Sequence, residues 1–289
     1  MKNRALGIAV ALVLLAAMSV VDASSRSEIR KQAELSMVVN GSIDIGLDGS
    51  VEGYKVEKSE QLSPAILDLL AKQIPKWKFE PMQVDGKPVH ARTNASLRIV
   101  ASPLDDGNYT VAIRSASFSG GSDDEAEQVT IRHRSLMGPL GRTLEASGAA
   151  GDVYLALKIG PDGKVLDGIV EQVNLTAFGT DEQMARARKI LGDGTLDIIR
   201  KWTFNPPTAG ELAVQPYWSG ILPVSFHWDG PSEKYGQWKA YIPGPCTDIP
   251  WRVLEPGAGE SHCHADSAPD GAFTLDNSGP KLLTPLTQG

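Results

Sequence analysis

Two short strings decide how this chain is read: Lys76-Trp77-Lys78-Phe79-Glu80-Pro81 and Lys201-Trp202-Thr203-Phe204-Asn205-Pro206. Both spell K-W-x-F-x-P. In each, Trp and Phe stand two apart, so an extended backbone aims both rings at one side. The Pro then ends the segment, because it has no N–H to give and restricts the residue before it. A ring pair in this setting reads as a wedge between a helix and a sheet. Trp77, Phe79, Pro81, Trp202, Phe204 and Pro206 are therefore read as structural residues.

Upstream of each string lies a hairpin pattern. Ser42 to Leu47 alternates, Asp48-Gly49 turns the chain, and Val51, Tyr54 and Val56 return. In the second copy Val153, Leu155, Leu157 and Ile159 alternate, Asp162-Gly163 turns, and Val165 to Val173 returns. Asp-Gly between alternating runs is a strong hairpin signal, since Gly accepts the positive φ such turns require. Between turn and string comes a helical pattern. In copy one Ser63 and Pro64 suit the N-cap and first helical positions, Ile66, Leu69, Leu70 and Ile74 form the apolar stripe, and Pro75 stops it. In copy two the stripe Met184, Ala187, Ile190, Leu191 predicts one helix from Asp181 to Leu191. Gly192-Asp193-Gly194 then predicts a break, with Thr195 capping a second short helix. The stripes read as core faces rather than cofactor boxes. A third strand closes each unit, Val89 to Val100 after the turn Asp85-Gly86-Lys87-Pro88, and Tyr217 to Trp228 in copy two.

The expected fold class is therefore α+β: two small units, each a three-stranded antiparallel sheet packed by a helix in the order β-β-α-β, plus an irregular C-terminal tail. The expected boundaries are a signal peptide at 1–23, unit 1 at 24–118, a linker at 119–150, unit 2 at 151–229 and a Pro/Gly-rich tail at 230–289. Within unit 1, Tyr109 to Ile113 reads as an extra strand paired with the end of the third. Val129 to Met137 reads as a strand or short helix, and the tail is expected to fray past Asp270.

The N-terminus reads as an export signal. Lys2 and Arg4 precede an uncharged apolar run from Ala5 to Val21, and Val21-Asp22-Ala23 offers small residues for cleavage. An uncleaved inner-membrane anchor is the alternative, although the run is short for a span of about 20 residues. Cleavage after Ala23 shortens the chain from 289 residues to 266 and takes the net charge from −7 to −8. An acidic, evenly mixed surface argues against nucleic acid as a partner. The two cysteines, Cys246 and Cys263, sit in the tail. An oxidising compartment favours a disulfide between them, worth about 3 kcal/mol on the chain-entropy estimate. The rival reading makes His262, Cys263 and His264 metal ligands with Cys246, but three adjacent ligands do not easily face one ion.

The whole string (hairpin, Asp-Gly, helix, K-W-x-F-x-P, Asp-Gly-Lys-Pro-Val, strand) resembles the C-terminal domain of the TonB family. Copy one, Met37 to Val100, carries Asp48-Gly49, Trp77 to Pro81 and Asp85 to Val89 in the family's order. Copy two, Gly151 to Trp228, keeps Asp162-Gly163 and Trp202 to Pro206, with Thr208-Ala209-Gly210-Glu211 where the second turn would stand. The resemblance covers about half the chain. It implies a periplasmic or secreted protein-binding module that adds a strand from an envelope partner to a sheet edge, as the family does with outer-membrane TonB-dependent receptors. The pairing strand would be Val89 to Val100, presenting Arg92, Asn94, Ser96 and Arg98. Tyr217 to Trp228 is the weaker candidate because Pro216 and Pro223 would interrupt a ladder. A membrane-anchored energy transducer for outer-membrane transport is the alternative. However, Ser24 to Ser36 reaches only about 45 Å fully extended, short for an envelope crossing.

An enzyme is the third reading considered. The chain has no G-x-S-x-G, no H-E-x-x-H and no phosphate loop. Of its histidines, His90, His133 and His227 have no partner at a telling spacing, and Asp123-Asp124-Glu125 lacks the spaced oxygens of a calcium loop. The residues therefore predict no catalytic centre and no cofactor.

Overall fold

The computed structural model describes residues 32–104, 107–119, 125–135, 138–228, 235–252, 267–268, 271–276 and 279–286. The predicted signal peptide, His262, Cys263 and His264 lie outside them. The protein is mixed α+β, with antiparallel sheets and three α-helices among the described residues. In chain order the elements are β1 (Glu34–Ile45), β2 (Val51–Val56), α1 (Pro64–Gln73), β3 (Gln83–Val84), β4 (Lys87–Pro88), β5 (Ala91–Pro103), β6 (Tyr109–Ser119), β7 (Thr130–His133), α2 (Gly138–Ser147), β8 (Gly151–Ile159), β9 (Val165–Leu175), α3 (Asp181–Ile199), β10 (Thr203–Asn205), β11 (Trp218–Phe226), β12 (Lys239–Tyr241) and β13 (Thr274–Leu275).

The first large sheet runs β12-β1-β5-β6, with β2 also on β1. The second runs β13-β11-β8-β9. Both exceed the three strands expected. β1 is long enough to hold two partners along one edge: Gly41 to Ile45 pair with β2, and Glu34 to Ser36 with β12. Its other edge pairs with β5 from Leu35 to Ile45. The alternation assigned to Ser42–Leu47 thus begins at Glu34, inside the segment read as a spacer.

Each sheet buries one face under helix. Val39, Ile43, Leu97, Ile99 and Ile113 pack with Ile66, Leu70 and Ile74 of the first helical region. Val153, Leu155, Leu157 and Leu222 pack with Met184, Leu191, Leu196 and Ile199 of α3. Trp77 and Phe79 enter the first core and Trp202 and Phe204 the second, with both Phe rings fully buried. Three backbone contacts recur around the two strings. Phe79 N–H donates to the Gly49 carbonyl at 2.7 Å and Phe204 N–H to the Gly163 carbonyl at 2.8 Å. Trp77 N–H donates to Ile74 O, and Trp202 N–H to Ile199 O. Ser50 bridges Lys78 as Lys164 bridges Thr203. Gly49 (φ 81°) and Gly163 (φ 75°) need both their left-handed backbone and their missing side chain, because a Cβ would strike the carbonyl of Phe79 or Phe204.

Three expectations need correcting. Gly192-Asp193-Gly194 does not break the second helical region; α3 is continuous over 19 residues. Its N-terminus is held by a capping box between Thr180 and Gln183. The glycines are contact points, since a Cβ on Gly192 would press on Val170 and Val173, and one on Gly194 on Leu140. Tertiary packing thus outweighs a propensity cost of about 1 kcal/mol per Gly. Second, within 119–150 the Val129–Met137 element is a strand, β7, paired with β10 of the second string, but the stretch after it is helix: α2 buries Leu144 in the second core. Third, the tail is not simply irregular. β12 joins the first sheet, Ile242 pairs with Leu175 of the second, and β13 pairs with β11. Past Asp270, Leu282 bridges Phe79, and Leu282 and Leu286 pack on the first core.

Candidate partner-binding surfaces

The strand expected to accept a partner is interior. β5 pairs with β1 on one side and with β6, from Asn94 to Pro103, on the other. β6 is the Tyr109–Ile113 strand, extended to Ser119, and it takes the edge that strand addition would need. The expectation that β5 presents Arg92, Asn94, Ser96 and Arg98 outward fails at its second half. Arg92 and Asn94 are exposed, whereas Ser96 and Arg98 are each only 7% exposed. All four lie on the face opposite α1, as alternation required. However, the second sheet docks against part of that face: the Arg98 guanidinium donates to Tyr154 Oη of β8 at 2.9 Å and to Ser36 Oγ at 2.9 Å. Burying an arginine demands such partners, and here they hold one sheet against the other.

Beside Arg98 runs a second polar network. Arg114 makes a two-armed contact to Glu34 at 2.7 and 2.8 Å, joined by Ser102 Oγ and Tyr241 Oη. Burial alone would raise the Glu34 pKa, but the hydrogen bonds from Arg114 and Tyr241 and the Arg114 charge outweigh it, and the net direction is down. Lys239 of β12 reaches both carboxylate oxygens of Asp152 at 3.2 Å, with His227 beside it. His227, just past the end of β11, is exposed.

Strand ends decide what remains open. β9 is terminal in the second sheet, and its outer side is occupied at its C-terminal end: Leu175 and Ile242 exchange backbone hydrogen bonds, and Thr247 N–H donates to Glu171 O. β11 carries β13 at Gly220 and Ile221, and Pro223 lies opposite Tyr154. In the first sheet β6 is terminal over 11 residues, and β2 is terminal over 6. Gly279 of the tail lies against the Phe118 carbonyl, so the tail covers the Ser119 end of β6.

Two surface grooves accompany these edges. One, of about 430 Å³, is lined by Asp44, Ile45, Glu52, His90, Ala91 and Arg92. Arg92 Nε donates to Asp44 at 2.6 Å, and His90 Nδ1 lies 3.0 Å from Glu52. The Arg92 hydrogen bond holds the Asp44 carboxyl below its usual range. The other, of about 400 Å³, lies beside Tyr217, Trp218, Trp251, Arg252 and Asp276. Sequence reasoning missed it because Trp251 and Arg252 fall in the Pro/Gly-rich tail; a tryptophan in such a segment was the available signal. Among the described residues no three His, Cys, Asp or Glu side chains gather as metal ligands. Cys246 is disulfide-bonded; Cys263, the other cysteine of the chain, lies outside the described residues. No helix among the described residues is long and apolar enough to cross a membrane.

No family model matches the chain, and neither a curated protein nor a solved structure matches it.

Proposed function

We propose that the chain is a tandem of two β-β-α-β docking units, 24–118 and 151–229, of the TonB C-terminal kind. It acts in the periplasm or outside the cell as a non-enzymatic protein-binding module that pairs with an extended segment of an envelope partner. The duplication is supported by the matched contacts at Gly49–Phe79 and Gly163–Phe204, and by the strand orders β2-β1-β5 and β9-β8-β11. What carries the docking reading is β6, a long terminal strand of the first sheet. A terminal strand offers a row of backbone donors and acceptors that another extended chain can complete. The strand-addition edge is therefore placed on β6 rather than on Val89–Val100. Arg92 and Asn94 lie on the adjoining strand, at its opposite end from Tyr109.

The test is site-specific photocrosslinking in envelope preparations from the native cell. A photoreactive residue is placed at Thr110 or Ser117 on β6, and at Lys189 on α3 as control. The expected result is an adduct with an outer-membrane receptor from the β6 positions and none from Lys189. Equal adducts from all three positions, or none from β6, would remove the proposal. An intact mass beginning at Ser24 is the companion expectation for export.

A further inference from the structure

The groove beside Tyr217 and Trp251 is a built site, independent of the sheet edge. It lies on the second sheet at the start of β11, walled by tail residues on one side and by Leu212 to Pro216 on the other. The rings of Tyr217 and Trp251 both face one cation: Lys158 Nζ stands 4.4 Å from the Tyr217 centroid and 5.0 Å from that of Trp251. This arrangement fixes the two ring planes relative to each other. Arg252 anchors the tail wall. Its two terminal nitrogens donate to Glu171 at 2.7 Å and Asp276 at 2.9 Å, and Ser219 Oγ donates to the other Asp276 oxygen at 2.7 Å. The Glu171 side chain is only 1% exposed. A charge triad is costly to bury, and a surface serving only to close a sheet face needs none. Here it rigidifies a wall bearing Trp251, as a preformed binding site requires. Trp251 Nε1 and Arg252 Nε are buried donors with no hydrogen-bond partner among the described residues.

The chemistry of the walls selects a ligand class. Of the lining residues, Arg252 balances Asp276, so neither an anion nor a cation gains from net charge. A purely apolar ligand would leave the polar side chains of Gln215, Ser219 and Asp276 facing it. A run of prolines brings carbonyl acceptors only: these would suit Trp251 Nε1 and Arg252 Nε but give the Asp276 carboxylate no donor. A sugar ring brings an apolar face for Tyr217 and Trp251 and hydroxyls that both donate and accept. The volume of about 400 Å³ is of disaccharide scale. We infer that this groove binds a neutral oligosaccharide, stacked on Tyr217 and Trp251 and hydrogen-bonded by Gln215 and Asp276.

The experiment follows tryptophan fluorescence of the full exported chain titrated with N,N′-diacetylchitobiose, cellobiose and maltose, with a proline decapeptide in parallel. At least one disaccharide is expected to saturate the signal below about 10 mM. Tyr217→Ala should weaken that binding by about tenfold, while Tyr217→Phe, which keeps the ring, should retain most of it. Denaturation midpoints of both variants verify that the fold is unchanged. The inference is overturned by no saturation with any of the three sugars, by unchanged affinity in Tyr217→Ala, or by saturation with the decapeptide alone. None of these outcomes depends on the β6 edge.

Discussion

At the scale of single residues, the two tryptophans do the same physical work in two places. Trp77 is 4% exposed and Trp202 6%, and each meets a helix end and a sheet. Trp77→Ala and Trp202→Ala are each expected to cost about 3–5 kcal/mol, read from the shift of a urea midpoint. A loss below about 1 kcal/mol at either position would show that the ring is not part of the core. The Trp–Phe spacing was legible because the period of a strand puts both rings on one face. The same rule misled at Ser96 and Arg98. Alternation reports that a residue faces away from the helix, and it is silent about what docks on the face it turns to. Arg98 meets Tyr154, more than 50 residues away, and no local pattern encodes that meeting.

At the scale of elements, the helices show where propensity yields to packing. The stripe of α3 and its start at Asp181 were readable, whereas the Thr180 cap and the passage through Gly192 and Gly194 were not. Gly192→Ala would bring a helix-propensity gain of about 1 kcal/mol. It also sets a methyl about 3.1–3.4 Å from Val170 and Val173 on β9, which cannot retreat without moving the sheet. The expected net result is a loss of stability of about 1 kcal/mol in chemical denaturation. A net gain would mean that the helix and sheet separate easily. For the strands, sequence located β5 and the start of β6 correctly. Their pairing decides the candidate site, because it moves the open edge by one strand. The pairing runs past a bulge between Arg98 and Ile99 to Ser119, and that extent does not follow from the apolar alternation alone.

At the scale of the whole molecule, the tail and the polar contacts join the two sheets. Residues 279–286 lay Leu282 and Leu286 on the first core, and Glu80 N–H donates to Lys281 O. Deleting 279–289 is expected to lower the thermal midpoint and increase amide exchange around Phe79, followed by hydrogen-exchange mass spectrometry. An unchanged midpoint would make the segment an appendage. The Glu34 network makes stability depend on pH. Its folded pKa lies below the ordinary 4.5, so its contribution is fully present above that value. It is lost as pH falls through the lower folded value. Glu34→Gln should therefore flatten the decline of unfolding free energy below about pH 4.5 and cost stability at pH 7, measured by urea titration at each pH. Parallel curves for the two proteins would remove Glu34 from the acid response.

Sequence alone determined the mixed helix–strand composition, the two Asp-Gly hairpins, the helix that Ser63 and Pro64 begin, and the buried ring pairs. Each of these rests on a period or a turn within a few consecutive residues. Tertiary structure alone decided that β6 runs on to Ser119 and covers β5 as far as Asn94, that Ser96 and Arg98 are buried, and that a Pro/Gly-rich tail builds the wall of an aromatic groove. Those outcomes depend on contacts between segments far apart in the chain, and composition and spacing do not specify which distant surface will cover an edge.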